Sequence, residues 1–204
     1  MSAKVIVFDL GNVIFRFDLT KFVKAYIQKI PNHKTTDFNE LIPTYSEFAY
    51  SYEKGNISSF DFYDILAKRT QYWGTYNEFA FQWNNIFEPI PETIEIISTL
   101  ANNYELAILS NTNELHFDYL KERYPAVFAL FNDFFLSYKM YFRKPEDEIY
   151  QHVIRHYNIL PSEIFFTDDM EENIKAAERN GINAWLFTKT YYLIEKLKEE
   201  KVLI

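Results

Sequence analysis

The chain of 204 residues contains no cysteine, which excludes disulfide scaffolds, thiolate metal sites and cysteine nucleophiles together. Glycine is scarce, at 4 residues, and no low-complexity tract or Pro- or Ser-rich linker interrupts the sequence. Basic residues are outnumbered: 21 Lys and Arg stand against 29 Asp and Glu, a formal net charge of −8. That balance argues against nucleic acid or an anionic membrane as partner. No apolar run approaches the roughly 18 residues of a membrane span. The opening MSAKVIVFDL enters a strand-like segment without the charged and apolar regions of a signal peptide, so a cytoplasmic enzyme is expected. Aromatic residues are what the chain has in plenty, 20 Phe, 16 Tyr and 3 Trp. The length suits one domain, or one core with a modest insertion.

Short apolar runs at Val5 to Phe8, Leu106 to Leu109, Phe134 to Leu136, Ile164 to Phe166 and Ala184 to Phe187 read as buried parallel strands. Segments of helical period lie between the later ones, and the alternation predicts an α/β fold. Pro91 and Pro145 are placed like first-turn prolines, and Gly181 after Asn180 like a left-handed helix end. From about Arg16 to Pro89 the pattern is helical with no convincing strand. Leu19, Phe22, Val23, Tyr26 and Ile27 share one helical face behind Asp18 as cap. Phe38 to Tyr52, Ser59 to Thr70 and Tyr76 to Phe87 are further helices. The expected organisation is a Rossmann-like parallel sheet core over 1–15 and 90–204, with a small four-helix insertion over 16–89. An insertion after the first strand sits above the carboxyl ends of the sheet, where open α/β folds bind ligands.

Polar residues follow four of the strands: Asp9, Ser110 with Asn111, Lys144, and Asp168 with Asp169. Their positions predict one shared crevice. Asp9 suits a nucleophile, a metal ligand or a helix cap. Ser110 and Asn111 suit a phosphate held at the next helix's positive end, or an ordinary N-cap series. Lys144, kept extended by Pro145, is free to reach a carboxylate or phosphate. Asp168 and Asp169 place two carboxylates in succession, costly at a buried strand end without a cation. Together they describe a Mg²⁺ site for phosphoryl transfer.

These four motifs resemble, in order and across the whole chain, those of the haloacid dehalogenase-like hydrolase superfamily. The long first gap is similar to that of members carrying a helical cap. The resemblance implies Asp9 as the nucleophile forming an aspartyl-phosphate, Ser110 and Lys144 as phosphoryl ligands, and Asn111 as an orienting group. It implies Mg²⁺ held by Asp9, Asp169 and the Gly11 backbone carbonyl, with Asp168 acting on the metal or through its waters. Phosphatases of the superfamily usually carry an aspartate two positions after the nucleophile, as acid and then base; here that position is Gly11. The string FDLGNVIF resembles a subgroup of bacterial sugar-phosphatases, including glucose-1-phosphate phosphatases, with the same glycine. The expected function is therefore a Mg²⁺-dependent phosphatase of small phosphorylated metabolites, with hexose 1-phosphates favoured. Alternatives are a catalytically weak or silent binding module with this fold, a 2-haloacid dehalogenase or, last, a mutase. His33, His116, His152 and His156 show no metal-ligand spacing apart from His152 and His156, which stand i, i+4 on a helix; without an HExxH pattern around it that pair reads as surface or packing, and the other two take the same bland reading. Arg16 suits a substrate contact or an ion pair with Asp18, and Trp73 and Trp83 suit burial in the helical bundle ahead of stacking on a sugar.

Overall fold

The computed structural model describes residues 3–31 and 38–202, excepting the side chains of 38–45. His33 lies outside the described residues. Strand β1 (Val5–Phe8) is the centre of a five-stranded sheet with β4 (Glu105–Ser110) and β6 (Ile164–Asp168) beside it. Strands β5 (Asp133–Leu136) and β7 (Asn183–Leu186) form the edges, in the order β5-β4-β1-β6-β7. All four pairings are parallel. From β1 the chain runs outward through β4 to β5, then crosses back to β6 on the other side of β1 and on to β7, and this reversal of strand order opens a crevice at the carboxyl ends.

The continuous apolar reading of β1 follows from burial on both faces. Ile6 and Phe8 enter one apolar layer with Ile97 and Leu100 of α5 (Pro91–Leu100) and Phe117 and Leu120 of α6 (Glu114–Arg123). Phe128 of α7 (Pro125–Phe128) and Leu193 and Leu197 of α11 (Thr190–Glu199) complete that layer. Val5 and Val7 enter the opposite layer with Ile149, Tyr150 and Val153 of α9 (Asp147–Tyr157) and Ile174, Ala176 and Ala177 of α10 (Glu171–Arg179). Gly181 takes φ +81 after α10, the left-handed turn that glycine adopts without steric cost.

Between β1 and α5 the chain forms α1 (Leu19–Ile27), α2 (Phe38–Glu53), α3 (Ser59–Thr70) and α4 (Tyr76–Asn84). Their starts are capped by side chains. Asp18 accepts from the Thr20 amide, and capping boxes pair Ser58 with Asp61 and Thr75 with Glu78. Such caps are worth about 1 kcal/mol each. The helices enclose an aromatic cluster: the Tyr26 and Tyr72 rings stack at 4.4 Å, Tyr52 and Phe62 at 4.4 Å, and Phe22 meets Trp83 edge-on at 4.8 Å. Here the aromatic surplus is spent.

Several expectations need correction. The 16–89 stretch carries strand structure at both ends: β2 (Phe15–Phe17) pairs antiparallel with β3 (Phe87–Pro89), and α4 ends at Asn84, short of Phe87. Three-residue strands joined across a large sequence separation leave no periodicity to read. Pro145 lies outside the first turn, because α9 begins at Asp147 with Glu146 as its N-cap. Trp83 is buried, but Trp73 is 67% exposed, since it falls in the connection between α3 and α4 with the Lys29 ammonium 5.0 Å above its ring. Asp18 is engaged as a helix cap, and Arg16 lies across the ladder from Glu88.

Candidate active site

Asp9 follows β1 at the carboxyl end of the sheet and is 8% exposed. Its Oδ1 meets the Lys144 ammonium at 2.8 Å and also accepts from the Leu10 amide at 2.7 Å. Burial pushes its carboxyl up to about 7 against the attraction of Lys144, and Asp168 pushes in the same direction as burial. Lys144, 1% exposed, donates to Asp9, to Asp168 Oδ2 at 2.6 Å and to the Leu109 carbonyl at 2.8 Å. Burial works against its charge, yet Asp168 and Asp9 hold its pKa above the ordinary lysine value. The lysine is thus fixed between the ends of β1, β4 and β6.

Asn111 fastens the segment that carries Lys144. Its amide nitrogen donates to the Lys144 carbonyl at 2.8 Å and its oxygen accepts from the Lys144 amide at 2.8 Å. Both ends of the side chain are committed to the lysine backbone. Ser110 closes β4, 2% exposed, at the wall of the adjacent cavity.

The acidic pair divides its tasks. Asp168 is fully buried. Its Oδ1 accepts from the Met170 amide at 2.8 Å and Asn173 Nδ2 at 2.9 Å, while Oδ2 accepts from Lys144 and from Asn173 at 3.0 Å. Three donors thus hold this carboxylate, with the single Asn173 Nδ2 shared between its two oxygens. Asp169 is half-buried and accepts from Asn12 Nδ2 at 2.9 Å; burial raises its pKa, with Asn12 opposing and Asp168 adding to the rise. Oxygens of Asp9, Asp168 and Asp169 lie within 4.8 Å of one another. Three carboxylates facing one ammonium leave surplus negative charge among hard oxygen donors, a set that fits a divalent cation such as Mg²⁺.

A cavity of about 150 Å³ opens beside these strand ends. Gly11, Ser110, Asn111 and Thr112 form its floor, while Phe17, Ile86, Phe87 and Glu53 approach from the helical insertion and its ladder. A Cβ at Gly11 would stand 3.2 Å from the Phe17 ring, so Phe17 covers the place where a side chain at position 11 would emerge.

The structure brings Asp9, Ser110, Asn111, Lys144, Asp168 and Asp169 to one end of the sheet. Asn12, Asn173, His116 and Glu53 join them without having been singled out for it by the sequence. Asn12 has φ 54, a left-handed conformation that Asn tolerates, and the LGN turn was its signal. Asn173 was signalled as a polar residue beside the apolar Ile174 on α10. His116 is buried, with its ring stacked on Trp83 at 4.7 Å. His152 and His156 pack against the Phe135 ring, as expected.

Known proteins are similar to this chain. A D-ribitol-5-phosphate phosphatase of Bacteroides thetaiotaomicron is 27% identical over 197 residues, covering 89% of this chain and 90% of its own. A sesquiterpene phosphatase of Aspergillus oryzae is 25% identical, with 88% and 87% covered. The crystal structure of a HAD family enzyme from B. thetaiotaomicron, in complex with magnesium and inorganic phosphate, superposes with TM-score 0.79 at 26% identity, covering 91% of this chain and 94% of that one. The family model described as haloacid dehalogenase-like hydrolase matches residues 3–181, and the chain belongs to that family.

Proposed function

We propose that the protein is a Mg²⁺-dependent phosphatase of small phosphorylated metabolites, sugar phosphates such as hexose 1-phosphates above all, working through an aspartyl-phosphate on Asp9. The observation that carries this reading is the Lys144 ammonium held between Asp9 and Asp168 beside a third carboxylate. A carboxylate nucleophile, a buried cation for phosphoryl oxygens and a hard-oxygen metal set are what phosphoryl transfer requires. Relatives named as phosphatases, and a neighbour holding magnesium and phosphate, support it.

Asp9, Asp169 and the Gly11 carbonyl would hold the ion. Asp168 fixes Lys144 and would act on the ion directly or through its waters. Bound Mg²⁺ would neutralise charge on the phosphoryl oxygens and fix them against the nucleophile. Asp9 attacks phosphorus, the bond to the leaving oxygen breaks, and water then cleaves the aspartyl-phosphate. Ser110 and Lys144 bind phosphoryl oxygens, and Asn111 keeps Lys144 in place. The helices of 16–89 act as a cap that excludes water and supplies polar and apolar contacts to the sugar. Hydrolysis of a panel of phosphate esters is the test, with Mg²⁺ and with EDTA, wild type beside Asp9→Asn. Turnover needing both the metal and Asp9 is expected; full turnover by Asp9→Asn would refute the assignment.

A further inference from the structure

Position 11 supplies no acid, and the Phe17 ring covers the space above it. An alkyl leaving group nevertheless has to collect a proton as its bond to phosphorus breaks, since an alkoxide is a poor leaving group. Among the described residues that line the cavity at the strand ends, one carries a carboxyl group: Glu53. It is the last residue of α2, so it enters from the insertion side, facing the floor of Gly11 and Ser110 across the cavity.

Its setting is that of a held, reactive group. The Arg143 guanidinium, one residue before Lys144, meets Glu53 Oε2 at 3.0 Å and fixes the carboxyl's orientation. Arg143 is itself stacked on the Tyr50 ring at 4.8 Å. The flanking Lys54 is turned away to Glu146, 3.0 Å from each of its oxygens, leaving Glu53 as the α2 residue that addresses the cavity among the described side chains. Burial raises the Glu53 pKa above the ordinary glutamate value, against the pull of Arg143 and Lys144. A carboxyl shifted in that direction is better suited to hold a proton near neutrality.

We propose that Glu53 is the acid and base of the reaction, supplied from the helical insertion in place of a side chain at position 11. This rests on the phosphatase reading above. In the first step Asp9 forms its bond to phosphorus, the bond from phosphorus to the leaving oxygen breaks, and the Glu53 proton passes to that oxygen to give the alcohol. In the second, the Glu53 carboxylate takes a proton from water as the water oxygen bonds to phosphorus. The bond to Asp9 breaks, and inorganic phosphate leaves with Asp9 ionised and Glu53 protonated again.

The test compares kcat/KM for a sugar phosphate and for p-nitrophenyl phosphate, whose nitrophenolate departs without a proton. For Glu53→Gln, kcat/KM on the sugar phosphate is expected to fall about 10²- to 10⁴-fold and on the aryl ester by less than about tenfold. With the base also removed, phosphorylated Asp9 is expected to accumulate in the variant and to be seen as added phosphoryl mass in the intact protein. Lys54→Met, which cuts the neighbouring contact of α2 to Glu146 while keeping Glu53, is expected to treat the two esters alike. Equal losses on both esters by Glu53→Gln, no loss on either, or the same discrimination by Lys54→Met would overturn the proposal while an Asp9-dependent activity left the phosphatase reading standing. Failure of the wild type on both esters would overturn the two together.

Discussion

Acid sensitivity of the contact between insertion and core is predicted from His116. Its Nε2 lies 3.0 Å from the Trp83 carbonyl at the end of α4, and its Nδ1 lies 3.1 Å from Asn113 Nδ2. The Asn113 oxygen is already committed to the His116 backbone amide, where it caps α6. The amide therefore cannot turn round, and it must donate to Nδ1 while Nε2 donates to the carbonyl. Protonating Nδ1 would set two donors against each other in a buried place. Burial pulls the pKa of His116 down to about 3, although the bond to Trp83 acts in the opposite direction. The unfolded chain, with an ordinary value near 6.5, binds the proton first. Stability is fully present above pH 6.5 and is lost as pH falls toward 3. Between pH 7 and pH 5 the loss is about 2 kcal/mol. Denaturant unfolding of wild type and His116→Gln at both pH values in EDTA measures it. The variant is expected to be less stable at pH 7 but to lose about 2 kcal/mol less than wild type on acidification. Contributions from Asp9 and the other titrating groups cancel in that comparison. Equal losses in the two proteins would refute the reasoning.

Two further outcomes follow from the site and its surroundings. Lys144→Met strands Asp168 and Asp9 without their buried cation and is expected to cost about 3–5 kcal/mol in denaturant unfolding, along with activity; a loss below about 1 kcal/mol would show that the carboxylates do not need the lysine. Gly55 has φ +71, and a Cβ there would stand 2.1 Å from the Tyr138 carbonyl oxygen in α8 (Ser137–Met140). Gly55→Ala is expected to lose at least about 1–2 kcal/mol from the left-handed backbone alone, and a melting temperature unchanged from wild type would contradict that contact.

The strand-end residues were legible in the sequence because parallel strands aim their carboxyl ends at one place. An apolar run followed by a polar residue was enough to place Asp9, Ser110 and Asp169 together, whereas Lys144 does not follow a strand as expected: β5 ends at Leu136 and α8 intervenes before it. The roles of their supporting neighbours were not legible in the same way. Asn173 takes up Asp168 from a helix, Asn12 orients Asp169 through a left-handed residue, and Asn111 spends both ends of its amide on Lys144. Each of those assignments is a fact of distance between separate segments. The β2–β3 ladder escaped for a related reason, since three residues on either side of a long insertion carry no pattern of their own. His116 read as a packing residue and does pack, but its bond to a carbonyl of α4 depends on where the insertion comes to rest.

The insertion is attached unequally on its two flanks. On one, Trp83, His116 and Phe87 form a dry aromatic stack that also holds a hydrogen bond. On the other, Tyr50, Glu53 and Lys54 grip Glu146 and Arg143 through partly exposed polar contacts, of a kind worth about 0–1 kcal/mol apiece. The polar flank is the one that salt weakens, because exposed ion pairs are screened and aromatic contacts are not. Glu53 sits on that flank, so its tie to Arg143 belongs to the salt-sensitive part of the insertion's seat on the core.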